Sequence, residues 1–349
     1  MKNDLTCGVV RDLLPGYLED LLGEESREAV ERHLADCPGC AARRESLGAP
    51  AGEEAAAREV DYLKQVKQVN RKRIVISVLA TAAGLLGALL LKLFVIGTPF
   101  QPQSAAVTGT VQEGGEELVL ELVSVGSGNA FHGWRVEIED GIACVYARDV
   151  LVSPLFQDGS ATVTVPLKGV YAVWLGGTSG QLVWQDGVMI SPKCLELLDA
   201  AVPYCGDPTA LGRIADILNA GERAGSYTVS MQTSKRPYTW TMEFTERIFD
   251  RQIAFMTSFS ILCLALVDNL EEAYFVYPAL PAPTLECPTA RSGMTLEGLE
   301  LALPALVSEY NEAHGTDWVP KASVKDYTRS PAEFQRLLLV LENFYGWAF

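Results

Sequence analysis

The sequence predicts a multidomain chain that combines a small all-α module, one transmembrane helix and, beyond that helix, β-sandwich and α+β domains. Three observations predict this organisation. Cysteine and histidine residues cluster near the start, a charge-free apolar run follows at 74–91, and the later sequence changes from two-residue alternation to mixed strand and helix patterns. The predicted segments are a module at 1–47, a juxtamembrane helix at 48–73, the membrane helix at 74–97, a linker at 98–116, a β-sandwich at 117–192, an α+β domain at 193–290 and a C-terminal helical region at 291–349.

The N-terminal module holds four potential metal ligands at the spacing C-x25-H-x3-C-x2-C, namely Cys7, His33, Cys37 and Cys40. Three thiolates and one imidazole fill every position of a tetrahedral Zn2+ ion, so the site they predict is structural and leaves no position for a substrate. A helix over 24–36 would place His33 in its last turn, ahead of a Cys-Pro-Gly-Cys turn, and Thr6 would cap an earlier helix that carries Cys7. Two alternatives stay open: ordinary buried thiols, and a zinc ion that is redox-sensitive because oxidised thiolates release it.

The motif C-x-x-V-x-D-L-L-P-x-Y-L-x-x-L, followed by E-E-x-R-E-A-V-E-x-H-L-x-x-C-x-x-C, resembles the zinc-containing anti-sigma domain of bacterial anti-sigma factors. The resemblance covers residues 1 to about 47 and implies that the four residues above are the zinc ligands. It also implies that the module and the helix after it bind a sigma factor on the surfaces that would engage RNA polymerase. The family's Asp-Gly after Tyr-Leu is Glu19-Asp20 here, a departure that concerns the turn. The family's apolar signature falls on Leu13, Leu14, Pro15, Tyr17 and Leu18.

A membrane anchor is predicted by the eighteen uncharged residues at 74–91, which Leu93, Phe94, Val95 and Ile96 extend beyond Lys92. At about 1.5 Å per residue this run can cross a hydrocarbon core of roughly 30 Å. Basic residues crowd its N-terminal flank, whereas no Lys or Arg occurs between Lys92 and Arg135. The positive-inside rule therefore predicts a cytoplasmic N-terminus and extracytoplasmic domains after about residue 98. A buried core helix is the alternative.

The charge distribution excludes one class of partner. Residues 98–349 hold 15 basic and 30 acidic side chains, which account for most of the net charge of −16. Nucleic-acid binding depends on neutralising phosphates, and the N-terminal module has no basic stripe either. The sequence therefore predicts no direct nucleic-acid binding.

The extracytoplasmic part begins with a Gly-, Gln-, Pro- and Thr-rich stretch at 98–116, which predicts a loose linker that a protease can reach. Six or seven short strands with Gly and Asp turns follow, as expected of a small β-sandwich. One helix is predicted from Asp207-Pro208 through Leu218, with its stop at Gly221, and another at 296–314. Ser330 and Glu333 have capping-box spacing and predict the start of a further helix. The apolar run 253–267 is predicted as a buried helix rather than a second span. Three short motifs follow, Tyr204-x-Gly206-Asp207, Gln232-Thr233-x3-Pro237-Tyr238 and Asp268-Asn269. With them, roughly residues 200–280 resemble a domain of unknown function that recurs in extracytoplasmic parts of bacterial membrane proteins.

These observations predict a membrane-anchored anti-sigma factor that sequesters an extracytoplasmic-function sigma factor and releases it on an envelope signal. Release is expected, by resemblance, through a first cut in the linker by a site-1 type protease and an intramembrane cut at 80–88. The alternative is an envelope sensor or binding protein whose outer domains bind a wall or peptide ligand. No catalytic motif is present, so no enzyme is predicted. Cys194 and Cys205 could form a disulfide, which the sequence leaves open.

Overall fold

The computed structural model describes residues 5–49, 53–112, 114–279 and 289–346, and for 53–65 only the course of the backbone. The chain divides into two compact units, Met1–Ala88 and Leu89–Phe349, called here the N-terminal unit and the C-terminal unit. The predicted fold class is confirmed: short helices come first, one long apolar helix follows, and β-sheets mixed with helices complete the chain.

Three short helices form the start of the N-terminal unit: α1 (Cys7–Leu18), α2 (Glu24–Asp36) and α3 (Pro38–Gly48). We predicted a turn after Cys37 but not α3. This helix begins at once because Pro38 occupies its first position, where the fixed φ of proline suits a helix and its missing N–H costs nothing. The Thr6 side chain, predicted to cap α1, makes no capping hydrogen bond. Apolar side chains of the three helices meet in one small core, Val10, Leu14, Val30, Leu34 and Cys40.

The juxtamembrane and membrane segments form one uninterrupted helix, α4 (Glu53–Leu91), which passes into a short π-helix at Lys92–Ile96. The π-helix ends at Gly97, where φ is 70°. A residue with a side chain would not fit here, because its Cβ would lie against the backbone of Asp149. Within α4 and the π-helix, Val66–Ile96 is long and apolar enough to cross a membrane. The side chains described for 66–91 are all exposed, unlike those of a buried core helix.

The first part of the C-terminal unit contains nine strands, β1 (Thr98–Pro99), β2 (Ala105–Val111), β3 (Glu117–Ser124), β4 (Asn129–Glu139), β5 (Ile142–Leu151), β6 (Ser160–Pro166), β7 (Ala172–Leu175), β8 (Gln181–Gln185) and β9 (Val188–Met189). They form a six-stranded sheet of order β1-β5-β7-β8-β9, in which β4 also pairs with β5, and a three-stranded sheet of order β2-β3-β6. Alternate residues of the two sheets share one core, as expected of a two-sheet sandwich, among them Leu118, Leu120, Leu122, Ala143, Val145 and Val173.

The prediction of a loose linker at 98–116 is wrong for most of that segment. Strand β1 pairs with β5, a short 3-10 helix follows at Pro102–Ser104, and β2 pairs with β3 along its whole length. The sequence of β2, AAVTGTV, has little apolar bulk, and only Ala105 within it is buried. As an edge strand, β2 is held chiefly by its backbone ladder, which side-chain patterns do not reveal.

The second part of the C-terminal unit is a four-stranded sheet of order β10-β11-β12-β13, in which only β11 and β12 run parallel. Its strands are β10 (Tyr227–Gln232), β11 (Thr239–Phe244), β12 (Glu272–Pro278) and β13 (Thr289–Thr295). The apolar run at 253–267 lies in α8 (Asp250–Leu266), whose side chains from 258 to 266 are all buried. The preference for a buried helix over a second membrane span is therefore confirmed.

Further helices complete this part, α5 (Pro192–Asp199), α6 (Pro208–Ile217), α7 (Ala220–Ala224), α9 (Leu296–His314) and α10 (Pro331–Tyr345). The bounds predicted for α9 agree with the structure, and Ser330 Oγ caps α10 by accepting the Glu333 N–H, as its sequence position suggested. The predicted stop at Gly221 is wrong, since that residue lies inside α7. Helices α8, α9 and α10 share one hydrophobic core, so 291–349 does not have a core of its own.

Candidate metal centre

The three short helices bring the four predicted ligands together. Cys7 begins α1, His33 lies in the last turn of α2, Cys37 joins α2 to α3, and Cys40 lies in the first turn of α3. Their candidate ligand atoms all lie within 4.8 Å of one another. Cys7 Sγ and Cys37 Sγ are 3.7 Å apart, close to the edge of about 3.8 Å in a tetrahedron whose Zn–S distances are about 2.3 Å. The cluster is positioned to bind a metal ion.

The state of His33 indicates that these residues fit zinc. Its Nε2 atom is buried and has no hydrogen-bond partner among the described residues. A buried ring nitrogen without a partner costs free energy, whereas the same nitrogen is a favourable zinc ligand when it faces three sulfur atoms. Zinc would be held by this nitrogen and by the Sγ atoms of Cys7, Cys37 and Cys40. Such a site has no open position, so its contribution is to folding.

The thiols of the cluster differ in how readily they lose a proton. The backbone N–H of Cys40 and the neighbouring thiols donate hydrogen bonds to Cys37 and lower its pKa to about 6. Burial, with a further contribution from Cys37, raises the pKa of Cys40. One thiolate is therefore available at neutral pH, and the charge of the metal ion would be needed to deprotonate the buried thiol.

The turn between α1 and α2 is held by polar contacts. Asp20 has φ 59°, a left-handed conformation that is strained for most residues with a side chain but that aspartate can adopt. Its carboxylate accepts from Arg27 at 2.6 Å, and the hydroxyl of Tyr17 donates to Glu31 Oε1 at 3.2 Å. These contacts are exposed and contribute little free energy, so they set the course of the chain rather than the stability of the module.

The core of this module is too small to fold it without help. Among the described residues it contains five buried side chains, and one of them is the predicted ligand Cys40. A module of this size buries too little apolar surface to be stable alone. Coordination of a structural zinc ion, with a typical binding free energy of roughly 10–16 kcal/mol, is therefore expected to stabilise it.

The cysteines of the C-terminal unit differ from this cluster. Cys194 and Cys205 are both free and buried, so the disulfide that the sequence left open is not formed. Cys194 Sγ donates to the carbonyl oxygen of Pro331 at 3.4 Å, and burial raises its pKa to about 12. Burial also raises the pKa of Cys263. Within the described ranges, only the N-terminal cysteines gather into a potential metal site.

The two remaining histidines have structural environments. The ring of His132 stacks on Phe156 at 4.4 Å between centroids, and that of His314 stacks on Tyr310 at 4.1 Å. His314 Nδ1 also lies 3.0 Å from the carbonyl oxygen of Tyr310. The buried Nε2 of His132 has no hydrogen-bond partner among the described residues, and neither ring belongs to a potential metal-binding group there.

One feature of the C-terminal unit was missed by sequence analysis. A groove of about 570 Å³ runs along the edge strand β2 and is lined mainly by apolar side chains. Its opposite wall comes from Val188, Met189 and Ile190 near β9 and from Gln335 and Leu339 of α10. No sequence signal could have found it, because segments more than 200 residues apart meet there only in the folded unit.

Comparison with known proteins supports both resemblances drawn from the sequence. Residues 7–41 match the family described as "Putative zinc-finger", and this range contains all four ligands. Residues 197–281 match a family described as "Domain of unknown function (DUF4825)", which runs from α5 past the end of β12. Neither a search of curated proteins nor a search of solved structures found a match.

Proposed function

We propose that this chain, which carries the zinc-finger module and a domain of unknown function, is a membrane-anchored anti-sigma factor. The zinc module would lie in the cytoplasm and sequester an extracytoplasmic-function sigma factor. The chain after about residue 98 would lie outside and respond to an envelope signal. The proposal assigns no catalytic activity to the chain.

The observation that carries this proposal is the closed Cys3His cluster in a helical module that is joined to one membrane-compatible helix. A closed site stabilises a fold and performs no chemistry, so the module is suited to presenting a protein-binding surface. Helix α4 connects it to the apolar stretch, which would keep a bound partner at the membrane. Zinc modules of this type occur in anti-sigma factors. The sequence resemblance and the family match to such a module therefore support the proposed function.

The proposed orientation rests on charge. The flank of the apolar stretch that faces the zinc module carries Lys64, Lys67, Arg71, Lys72 and Arg73, whereas Lys92 is the only basic residue near its other end. Basic residues stay preferentially on the cytoplasmic side during insertion. The zinc module would therefore be cytoplasmic, where a sigma factor is available.

The proposed release by proteolysis needs one revision. Most of the segment expected to receive the first cut lies in β1, the 3-10 helix and β2, and paired strands are poor protease substrates. We propose that an envelope signal frees the edge strand β2 from β3, and that the first cut comes after that opening. The intramembrane cut would fall at 80–88, where small residues are frequent.

A capture experiment tests the proposal. The full-length chain is purified in detergent from its native cell, and the proteins bound to it are identified by mass spectrometry. We expect a sigma factor with the wild type and none with Cys37→Ser, because loss of one ligand should unfold the module. Cys144→Ser, the same chemical change in the C-terminal unit, should leave capture intact.

The identified sigma factor must then be inhibited directly. Adding the purified chain to that sigma factor and RNA polymerase should suppress transcription from its promoter, and the Cys37→Ser variant should not. A captured sigma factor whose transcription is unaffected would contradict sequestration.

The groove along β2 favours a second candidate function, in which the C-terminal unit binds a wall fragment or a peptide and the zinc site is only structural. Purification of the full-length chain with such a ligand, and without any sigma factor, would favour this candidate over the first.

A further inference from the structure

We infer that four basic residues of α4 form a collar that binds the headgroups of anionic phospholipids. The residues are Lys67, Arg71, Lys72 and Arg73, which immediately precede the apolar stretch. The inference rests on the membrane insertion and orientation proposed above, but not on the identity of any protein partner.

The four side chains point to all sides of the helix. At about 100° per residue, Lys67 and Arg71 lie on one side, Lys72 is about 120° away from their mean direction, and Arg73 lies about 140° away on the other side. A protein partner contacts one face of a helix and would require a basic stripe. Lipid headgroups surround a spanning helix, so a collar is complementary to them.

The collar has no compensating charge. All four side chains are exposed, and none of them takes part in an ion pair within the described part of the chain. No Asp or Glu occurs between Asp61 and Glu113 in the sequence. The positive charge is therefore available to an external anion, and the leaflet surface supplies anions in a layer of the right sign.

The height of the collar matches that layer. Lys67 and Arg73 are six residues apart, which is about 9 Å along the helix axis. The headgroup region on each side of a bilayer is roughly 5–8 Å thick, and the long side chains can adjust by snorkelling. The uncharged residues 74–91 then extend for about 27 Å, close to the hydrocarbon thickness of roughly 30 Å.

The other end of the apolar stretch has a different arrangement. Its single basic residue, Lys92, donates through Nζ to the carbonyl oxygen of Gly97 at 2.7 Å. The ammonium group therefore donates to a backbone carbonyl just beyond the helix, and no other basic residue lies near it in the sequence. The electrostatic attraction to anionic lipid is thus confined to the end of the stretch nearer the zinc module.

Lipid selectivity in a reconstituted membrane tests the inference. The full-length chain is placed in phosphatidylcholine vesicles that contain spin-labelled phosphatidylglycerol or spin-labelled phosphatidylcholine, and the motionally restricted fraction of each lipid is measured. We expect phosphatidylglycerol to be preferred at least about fivefold, since each basic residue near the surface contributes a factor of that order. The preference should fall when the salt concentration is raised from about 0.05 to about 0.5 M.

Variants separate a collar from a single basic face. K67Q/R71Q/K72Q/R73Q should abolish the preference, and K67R/R71K/K72R/R73K should retain it because the charge is unchanged. The half-collar variants K67Q/R71Q and K72Q/R73Q should each lose part of the preference for phosphatidylglycerol. If the lipid bound to a single basic face, one of these two variants would lose the whole preference and the other none. R43Q/R44Q, two charges removed from α3, is the matched control and should have no effect.

Three results would overturn the inference. They are a correctly inserted wild-type chain without preference, a preference that survives the fourfold Gln variant, and a Gln variant that loses sigma-factor capture in detergent while its lipid selectivity is unchanged. The last result would assign the charges to a protein partner. Insertion and sigma-factor capture are measured separately, so failure of the anti-sigma proposal is distinguishable from failure of the lipid collar.

Discussion

The zinc module and the C-terminal unit solve the same folding problem by different means. The module buries five apolar side chains around α1, α2 and α3. The C-terminal unit has two large hydrophobic clusters, one between the sandwich sheets and one around α8. A core of the second kind stabilises a domain by itself, whereas the first needs a metal ion in place of the missing buried area.

The same contrast explains the two populations of cysteine. In the module, three cysteines and His33 gather at one point, and His33 Nε2 has no hydrogen-bond partner among the residues that the structure describes. In the C-terminal unit, Cys194 and Cys263 are buried separately among apolar side chains, and burial raises the pKa of each thiol. Cysteines that lie beside other potential ligands can bind a metal ion. Cysteines that are buried singly among apolar side chains act as small apolar residues.

Removal of the metal should give the largest difference between the two regions. We expect a strong chelator to unfold α1–α3 completely while the C-terminal unit stays folded, because only the module depends on coordination. All six tryptophans lie beyond residue 133, so tryptophan fluorescence reports the C-terminal unit alone. Fluorescence should be unchanged while far-UV circular dichroism loses helix signal. A module that keeps its helices without metal would contradict this contrast.

Matched Cys→Ser substitutions test the same contrast one residue at a time. Cys40 and Cys194 both have no solvent-exposed surface, so each change replaces a sulfur atom that solvent does not reach. Cys40→Ser should reduce bound zinc from one ion per chain to none and unfold the module, whereas Cys194→Ser should keep the zinc and cost about 1–3 kcal/mol in the C-terminal unit. Zinc content by atomic emission, with alkylation of Cys7 and Cys37 followed by mass spectrometry, measures the effect on the module. Urea unfolding followed by tryptophan fluorescence measures the stability of the C-terminal unit. Retained zinc in Cys40→Ser would overturn the ligand assignment.

The stability of the C-terminal unit should instead depend on the volume of its buried apolar side chains. Leu303 is fully buried in α9, whereas Leu301, two residues earlier in the same helix, is 79% exposed. Leu303→Ala should lower the free energy of unfolding by about 2–5 kcal/mol, because it removes buried methyl groups and leaves a cavity. Leu301→Ala should change it by less than about 0.5 kcal/mol. Urea unfolding followed by tryptophan fluorescence makes the comparison, and equal effects would show that α9 is not packed as described.

The sequence predicted well those features that depend on residue type at fixed spacing. The ligand cluster follows from the spacing C-x25-H-x3-C-x2-C, and the cap of α10 follows from two side chains three positions apart. The bounds of α9 were also predicted correctly. The sequence failed for features that depend on backbone hydrogen bonds or on contacts between segments far apart in the sequence. Strand β2 has weakly patterned side chains and is defined by its ladder with β3, and the groove beside it joins distant segments. The helix α3 was missed because the motif Cys-Pro-Gly-Cys indicates a turn and carries no sign of the helix that Pro38 begins.

The smallest expected effect concerns Lys325, a partly buried lysine of the C-terminal unit. Lys325 Nζ donates to the carbonyl oxygens of Leu264, Val267 and Leu270, at 3.1, 2.6 and 3.1 Å, around the C-terminal end of α8. An ammonium at this end satisfies orphan carbonyls and the helix dipole. Lys325→Met should therefore cost about 1–2 kcal/mol at pH 7, against less than about 0.5 kcal/mol for the exposed Lys168→Met.

The difference in stability between the wild type and Lys325→Met should change with pH, in a direction set by the pKa of Lys325. Burial lowers the pKa of Lys325 from 10.5 to about 8, although the carboxylates of Asp268, Glu300 and Glu271 oppose the shift. Between these two pH values the unfolded chain binds more protons than the folded one, so the wild type gains stability relative to Lys325→Met as the pH rises from about 8 to 10.5. Urea unfolding of both variants at pH 7, 8, 9 and 10 measures the gap. A gap that narrows over this range would mean that the carbonyl contacts hold the ammonium in its charged form more strongly than burial disfavours it.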